Sequence, residues 1–352
     1  CRNAADFFER YGAISYAHYH RLSESSTIIG LVSATFRETY QYAKGDWRFD
    51  AYDSPAGIVK MIRIVRRKKP EYIFVHGFVR PHYLWLLRRF AGRRAVWMIQ
   101  HHAERPKISP VAVALQRIAF RRLDCYFFAA LELANDFVTR GIIDDPSKIH
   151  EMMEGSSLFE PMDRLFARKQ LGITAKTVFL WVGRLNANKD PVTVLRAFTR
   201  YANSGFEGVL YLLFSEDDLL KEVARFVSDV KMEARIILVG KRPHPELQVW
   251  YSAADYFISA SHYEGSGIAL CEAMACGCIP IVTRISSFCK MTENGRFGFL
   301  FTPGEYIELQ MILNGLNGDL RISRTTVRQQ FINHLSFEAI GNHIRGCAST
   351  RD

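Results

Sequence analysis

Short apolar runs alternate with amphipathic stretches along almost the whole chain. Runs such as 72–76, 178–182 and 209–214 have the length and the β-branched or aromatic content of buried strands. The stretches between them, such as 55–68 and 191–201, place apolar residues at helical spacing. Because strands that alternate with helices form parallel sheets covered by helices, the pattern predicts an α/β protein.

The same alternation predicts the individual elements. Strands are expected at 27–32, 72–76, 95–100, 124–129, 178–182, 209–214, 236–239, 256–258 and 279–282. Helices are expected at 4–11, 55–68, 82–90, 111–120, 132–139, 163–170, 191–201 and 267–275.

The chain has 352 residues, which suggests two domains at about 150 residues each. Residues 154–161 break the alternation and precede a charged helix, so we place the boundary after residue 157. This gives an N-terminal domain of residues 1–157 and a C-terminal domain of residues 158–352, whose terminal helix could pack back on the first domain. No run reaches the roughly 20 apolar residues that a membrane-spanning helix needs.

Positive charge is concentrated in one segment. The whole chain carries +10, whereas residues 60–122 contain sixteen Lys and Arg against Glu71 and Glu104 only. Such a field attracts an anionic membrane surface, a polyanion or a phosphorylated substrate. The other interpretation, a solvated helix face, also fits each cation taken singly.

Cysteine usage favours a reducing, cytoplasmic compartment, because the seven cysteines are an odd number without a disulfide framework. Cys271, Cys276 and Cys278 could hold zinc together with His262. They lie in an apolar stretch rich in small residues, where cysteine usually serves as a small hydrophobe. We therefore expect a packing role and no metal.

Two cations lie on the loop between a predicted strand and the next helix. Asp190 suits the N-cap of that helix and Pro191 its first position. Arg184 and Lys189 therefore lie near free helix amides, which already favour negative charge. This arrangement suits a pyrophosphate, although two ordinary surface cations would give the same spacing.

Two carboxylates, Glu264 and Glu272, are seven residues apart around a glycine-rich turn. Gly265 and Gly267 would let backbone amides approach a ligand closely. A carboxylate accepts hydrogen bonds from paired hydroxyls such as those of a ribose or a hexose. Glu272 lies in a small, apolar helix segment, where a charge needs a partner. A salt-bridged structural glutamate is the alternative.

These residues resemble retaining glycosyltransferases of the GT-B fold, and family 4 in particular. The family's E-x7-E motif matches Glu264 and Glu272, and the EAMAxG part of its EAMAxGxP signature matches residues 272–277, with the proline one residue later at position 280. Its GR-x4-K motif matches Gly183, Arg184 and Lys189. The resemblance implies two Rossmann-like domains whose parallel sheets face a central cleft, with the acceptor on the N-terminal side.

The resemblance also implies the site residues. Arg184 and Lys189 would neutralise the donor diphosphate, Glu272 would hold the ribose hydroxyls, and Glu264 would face the transferred sugar. Donor contacts are further expected from Gly240, Lys241, Arg242, Gly265, Ser266 and Gly267. His101 and His102 are the candidates for a histidine near the reacting sugar. Strand alternation favours His102, because Gln100 then shares its face.

The expected activity is transfer of a sugar from a UDP- or GDP-linked donor to a glycan or lipid-linked glycan, without a cofactor and without nucleic acid. A nucleotide-sugar epimerase or phosphorylase of the same fold, or a polyanion-binding module, are the alternatives. The sequence departs from the family where Gly-Ser-Gly replaces its usual GFG, and where residues 215–218 replace a glycine-rich turn. The first strand and glycine loop of the N-terminal domain are also not evident.

Overall fold

The computed structural model describes residues 2–5, 7, 28–42, 45–78, 80–91, 95–102, 104–121, 123–215, 218–265, 267–316 and 322–349. The chain forms two compact units, one of residues 1–156 with 337–352 and the other of residues 157–336. The sequence placed the boundary after residue 157. Residues 337–352 belong with the first unit, whereas the expected second domain ran on to residue 352.

The first unit contains two sheets. A three-stranded sheet has the order β1-β3-β2, with β1 at Ile28–Ser33, β2 at Glu38–Tyr42 and β3 at Gly45–Asp50. The β1–β3 pair is parallel, whereas β2 and β3 pair antiparallel. The sequence predicted only the first of these strands, and its expected first residue, Thr27, lies outside the described residues.

The second sheet of this unit is parallel and has the order β4-β5-β6-β7. Its strands are Tyr72–His76, Val96–Gln100, Cys125–Phe128 and Ile149–Glu151. The helices of this unit are Pro55–Lys68, Pro81–Ala91, Pro110–Phe120, Asn135–Thr139 and Phe337–Ser349. The first three pack side by side in chain order. The predicted helix 4–11 falls mostly outside the described residues, and 132–139 divides into a 3₁₀ turn and a short helix.

The helix Pro55–Lys68 shows why its sequence forms a helix there. The Ser54 side chain accepts a hydrogen bond from the Gly57 amide, and Pro55 takes the first position, where no amide proton is needed. The helix ends at Lys69, which has a left-handed φ of 47°. Its apolar side covers the core around Phe78, Phe128 and Phe137, and its cations remain outside.

The second unit contains a six-stranded parallel sheet with the order β10-β9-β8-β11-β12-β13. Its strands in chain order are Val178–Gly183, Val209–Phe214, Ile236–Leu238, Tyr256–Ser259, Ile279–Thr283 and Phe299–Phe301. Its helices are Arg164–Leu171, Pro191–Asn203, Leu220–Asp229, His244–Ala253, Ile268–Ala275, Ser286–Met291, Tyr306–Gly315 and Arg324–Gln330, and a π-helical turn follows at Phe331–Leu335. Trp181, Phe198 and Leu212 are fully buried in its core. The predicted α/β class with parallel sheets is confirmed.

Within the described part of the chain, no helix is both long and apolar enough to cross a bilayer.

Candidate active site

Asp190 fixes the loop that carries both predicted diphosphate-binding cations. It lies at the N-cap of the helix Pro191–Asn203 with a left-handed φ of 42°. Its carboxylate accepts hydrogen bonds from the Thr193 amide at 3.1 Å and the Thr193 hydroxyl at 2.7 Å. This cap holds Lys189 directly before the helix N-terminus, where the macrodipole is positive.

The two motif loops, predicted separately, are joined by hydrogen bonds. The His262 Nε2 atom lies 3.0 Å from Asp190 Oδ2, and the His262 amide donates to the Asn188 carbonyl at 2.9 Å. Asn188 in turn donates from its side-chain amide to the Tyr263 carbonyl at 2.9 Å. The cationic loop and the glutamate loop therefore form one structure.

Lys189 and Glu264 are brought together as an ion pair between Nζ and Oε1. Their side chains are only 18% and 13% exposed, so water screens the pair less than it would at a surface. Arg184 lies exposed on the same loop. Besides the capping carboxylate of Asp190, these loops thus carry two cations and the carboxylate of Glu264.

The glycine turn begins the helix Ile268–Ala275. Gly265 and Gly267 are both buried, and Ser266 lies outside the described residues. Gly267 has a φ of +67°, and a Cβ there would come within 2.4 Å of the Phe288 ring. Only glycine fits this position, which lets the chain turn tightly into the amides of the helix N-terminus.

Glu272 lies in the second turn of that helix and is only 3% exposed. Its Oε1 atom lies 2.6 Å from His244 Nε2, and its Oε2 atom accepts a hydrogen bond from the Tyr251 hydroxyl at 3.1 Å. The hydrogen bond to Glu272 raises the pKa of His244, although partial burial opposes it. Burial, with the Glu272 charge added, raises the pKa of Tyr251. The glutamate is therefore held by two partners.

Gly240, Lys241 and Arg242 follow the strand Ile236–Leu238. Gly240 has a φ of +77°, and its carbonyl accepts a hydrogen bond from the Phe214 amide at 3.3 Å. Lys241 and Arg242 are exposed. The next helix begins at His244, so the loop leads directly to the residue that holds Glu272.

A second polar cluster lies in the first unit, at the carboxyl ends of its parallel strands. His76 ends one strand, and its Nδ1 atom lies 3.2 Å from His102 Nε2. The other ring nitrogen of His102, Nδ1, lies 3.4 Å from Glu154 Oε2. Burial, with a smaller effect of the His102 charge, holds the pKa of His76 well below its usual range. A neutral His76 and a carboxylate thus flank the half-buried ring of His102.

His101 has a different environment from its neighbour. It is only 2% exposed, and its Nε2 atom donates to the Glu104 carbonyl at 2.7 Å. Its Nδ1 atom is buried with no hydrogen-bond partner among the described residues. Burial lowers the pKa of His101. The ring packs at 4.8 Å from Phe128, as part of the core.

The surroundings of the three cysteines and His262 bear on whether they could form a zinc site. Cys271, Cys276 and Cys278 are all buried, whereas His262 is exposed and lies against Asp190. Burial raises the pKa of Cys276 to about 12. These environments suit protonated, apolar thiols rather than metal-binding thiolates.

The basic segment presents apolar side chains beside its cations. Trp85 and Phe90 are 43% and 42% exposed, on the helix that packs against Pro55–Lys68. On the neighbouring helix and just before it, four apolar residues are 46% to 76% exposed, namely Ile108, Val111, Leu115 and Ile118. The spacing of the last three follows one face of a helix.

Sequence reasoning missed the partners of the predicted residues. His244, Tyr251, His76 and Glu154 contact predicted site residues, yet none belongs to a motif used above. His76 ends one predicted strand and His102 lies just after the next, so the shared edge of a parallel sheet was a usable signal.

Residues 163–316 match the family model for glycosyl transferases group 1. The matched range lies in the second unit and includes every predicted donor-site residue. Among curated proteins, D-inositol 3-phosphate glycosyltransferase 1 of Catenulispora acidiphila is 27% identical over 181 residues. That match spans 47% of this chain and 43% of the relative's own length.

Solved structures resemble a larger part of the chain. A glycosyltransferase from Rickettsia africae gives a TM-score of 0.73 at 14% identity, covering 100% of this chain and 97% of that one. HepE from Anabaena, solved with UDP and glucose, gives a TM-score of 0.67 at 18% identity, covering 88% of this chain and 87% of that one. At such low identity these likenesses show the fold alone, which is that of GT-B glycosyltransferases. Together with the family match, they support a GT-B glycosyltransferase.

Proposed function

We propose that this protein is a retaining, family 4 glycosyltransferase that moves a sugar from a nucleotide diphosphate sugar to an acceptor hydroxyl. The observation that carries the proposal is the Lys189–Glu264 ion pair, formed between two motif loops beside a helix N-terminus. The matched family region contains both loops.

On the donor side, Arg184 and Lys189 bind the diphosphate and Glu272 accepts the ribose hydroxyls. Glu264 and the amides of residues 265–267 face the sugar. The loop Gly240-Lys241-Arg242 borders the base. UDP is the first donor nucleotide to test, because the structurally similar HepE was solved with UDP and glucose.

The chemistry is electrostatic. Negative charge grows on the diphosphate as the glycosidic bond breaks, and fixed cations with helix amides stabilise it more in the transition state than in the ground state. The leaving diphosphate accepts the proton of the acceptor hydroxyl on the same face of the sugar, which gives retention. No metal or other cofactor is required in this scheme.

On the acceptor side, His102 is proposed to lie near the reacting sugar. Its ring is held from both nitrogens, by His76 and by Glu154. These two contacts fix the orientation of the His102 ring. We assign His101 a packing role, because its ring is almost fully buried.

The acceptor is proposed to be a glycan or a lipid-linked glycan at an anionic membrane surface. Exposed Trp85 and Phe90 beside the cations of the helix Pro55–Lys68 support this part, because solubility alone does not require exposed aromatic residues. Amphipathic surfaces of this kind lie in the headgroup region of a bilayer. The protein would then be peripheral on the cytoplasmic face.

A thermal-shift screen across nucleotide diphosphates tests the donor proposal. A ligand at about 100 times its dissociation constant stabilises the folded state by roughly 2.7 kcal/mol. UDP or GDP should raise the melting temperature, and the shift should shrink in Glu272→Gln. The absence of any shift or of any reaction with nucleotide sugars would overturn the proposal.

Product analysis separates the alternatives. An epimerase would release nucleotide without an acceptor, a phosphorylase would need inorganic phosphate, and a transferase would need an acceptor hydroxyl. A polyanion-binding module would bind heparin or nucleic acid in a salt-sensitive manner and show no nucleotide-sugar affinity.

A further inference from the structure

Three side chains of the first unit that have no role assigned above lie close together. His150 lies in the strand Ile149–Glu151, and His343 and Cys347 lie on the helix Phe337–Ser349. Their ligand atoms, one from each side chain, all lie within 4.8 Å of one another. Nothing in the proposed transfer reaction uses them.

The local structure explains why they meet. His343 and Cys347 are four residues apart on a helix, so their side chains lie on the same face. The strand of His150 is at the edge of the four-stranded sheet, and the helix brings the far end of the chain to that edge. The Phe127 ring lies 5.8 Å from the His150 ring and 6.5 Å from the His343 ring, which gives the cluster an apolar wall.

We propose that His150, His343 and Cys347 form a Zn²⁺ site that fastens the helix Phe337–Ser349 to the edge strand Ile149–Glu151. Two imidazoles and a thiolate are a borderline-soft donor set, which selects zinc over magnesium or calcium. Burial raises the pKa of Cys347, so the ion would displace the thiol proton as it binds. Three protein ligands leave the fourth tetrahedral position to water.

Zinc binding would require only a small movement of the three donor atoms toward one another. In tetrahedral zinc sites with these ligands the donor atoms are about 3.4 to 3.6 Å apart, as follows from Zn–N and Zn–S bonds of about 2.0 to 2.3 Å. The present atoms lie within 4.8 Å, so a shift of about 1 Å brings them into place. His343 is exposed and Cys347 half-buried, which allows the ion to enter and the side chains to rotate.

The ion would have a structural role. It would link residues nearly two hundred positions apart in the chain and keep the terminal helix with the first unit. It would take no part in the proposed sugar transfer, because none of its three ligands is among the residues assigned to the donor side or to the acceptor side. The zinc proposal is therefore independent of the glycosyltransferase proposal, and the failure of one would leave the other intact.

Titration of the full chain, freed of metal, with Zn²⁺ against a chromophoric chelator tests the site. We expect one ion bound per chain at micromolar concentration. Cys347→Ser and His343→Ala should each weaken binding by more than about tenfold. Cys289→Ser and His334→Ala, which change a half-buried thiol and an exposed imidazole elsewhere, should leave it unchanged.

Co²⁺ substitution and hydrogen exchange give independent readouts. Co²⁺ should produce a thiolate-to-cobalt charge-transfer band that disappears in Cys347→Ser. Zn²⁺ should slow amide exchange in the helix Phe337–Ser349 in the native chain but not in His343→Ala. Absence of stoichiometric binding, or binding that is equal in the ligand and control variants, would overturn the proposal.

Discussion

The Nε2 atom of His244 lies 2.6 Å from Oε1 of Glu272, the carboxylate proposed to receive the ribose. The other carboxylate oxygen is bonded by the buried Tyr251 hydroxyl. A carboxylate has about four acceptor positions, so a ribose can add to this arrangement or displace His244. The His244 side chain is 41% exposed, which makes it the partner that can move.

Nucleotide binding should release a proton if the ribose displaces His244. The pKa of His244 is raised by its bond to Glu272, so losing that bond lowers it toward the ordinary value of about 6.5. Affinity should therefore rise with pH through the window just above about 6.5. Calorimetry of UDP binding in two buffers of different ionisation enthalpy measures the release, which should vanish in His244→Gln and persist in His334→Gln. Equal release in both variants would contradict displacement of His244.

Glu272→Gln should weaken nucleotide diphosphate binding by about 1.5 to 3 kcal/mol, because charge-assisted hydrogen bonds to two hydroxyls become weaker. The amide is nearly isosteric, so packing around Tyr251 is retained. Equilibrium dissociation constants provide the measurement, and the melting temperature without ligand shows whether the variant is folded. A folded variant with unchanged affinity would refute the ribose assignment.

Arg184→Ala and Lys189→Ala should reduce turnover more than they reduce donor binding. Diphosphate charge grows in the transition state, and loss of one donor to such a charge costs about 10²-fold in kcat. The exposed Lys221 provides the control, since Lys221→Ala removes a similar charge outside the motif loops. Saturation kinetics with separately measured donor affinity distinguish the effects. A large loss of affinity with unchanged kcat would argue against this role.

His102→Ala should lower kcat, and Glu154→Gln should lower it less, because Glu154 acts only through the His102 ring. As a positioning residue, Glu154 should change kcat while the KM for the donor and the melting temperature stay close to those of the native protein, which loss of a purely structural contact would not do. His82→Ala, at an exposed histidine on the helix Pro81–Ala91, is the control. Normal turnover in His102→Ala would remove this residue from the site.

The sequence predicted the elements with strong local periodicity. The helix Pro55–Lys68 and the strands Tyr72–His76 and Val209–Phe214 match the predicted bounds, because capping residues or long apolar runs mark their ends. Two strands of three residues, Ile149–Glu151 and Phe299–Phe301, were missed, whereas a third, Ile236–Leu238, lies within a predicted apolar run. So short a strand has no measurable alternation, and only its pairing partners define it.

The sequence predicted the motif residues of the site but not the contacts that these residues make with one another and with other loops. Glycine spacing and paired carboxylates pointed to Glu264, Glu272 and Lys189. The Lys189–Glu264 and His244–Glu272 contacts depend on how separate loops pack, which no local pattern encodes. The same limit applies to His150 and His343, which are far apart in the chain and meet only through the fold.

The basic surface should bind anionic vesicles reversibly. Each cation near an anionic bilayer contributes about 1 kcal/mol, and the exposed Trp85 and Phe90 can enter the headgroup region. The double variant Arg63→Glu, Arg67→Glu reverses two exposed charges on the helix Pro55–Lys68 and should strongly weaken this binding at low salt. The matched variant Lys221→Glu, Arg225→Glu makes the same change of charge on an exposed helix of the second unit and should retain it.

Sedimentation with vesicles across a salt series distinguishes the two contributions to this binding. Charge attraction weakens as salt shortens the Debye length from about 10 Å at 0.1 M to about 3 Å at 1 M, whereas apolar insertion does not. Val111→Ser with Leu115→Ser should therefore reduce the binding that survives at high salt and spare the salt-sensitive part. No preference for anionic over neutral vesicles at low salt would show that the cations serve solubility alone, and the acceptor would then have to reach the site from solution.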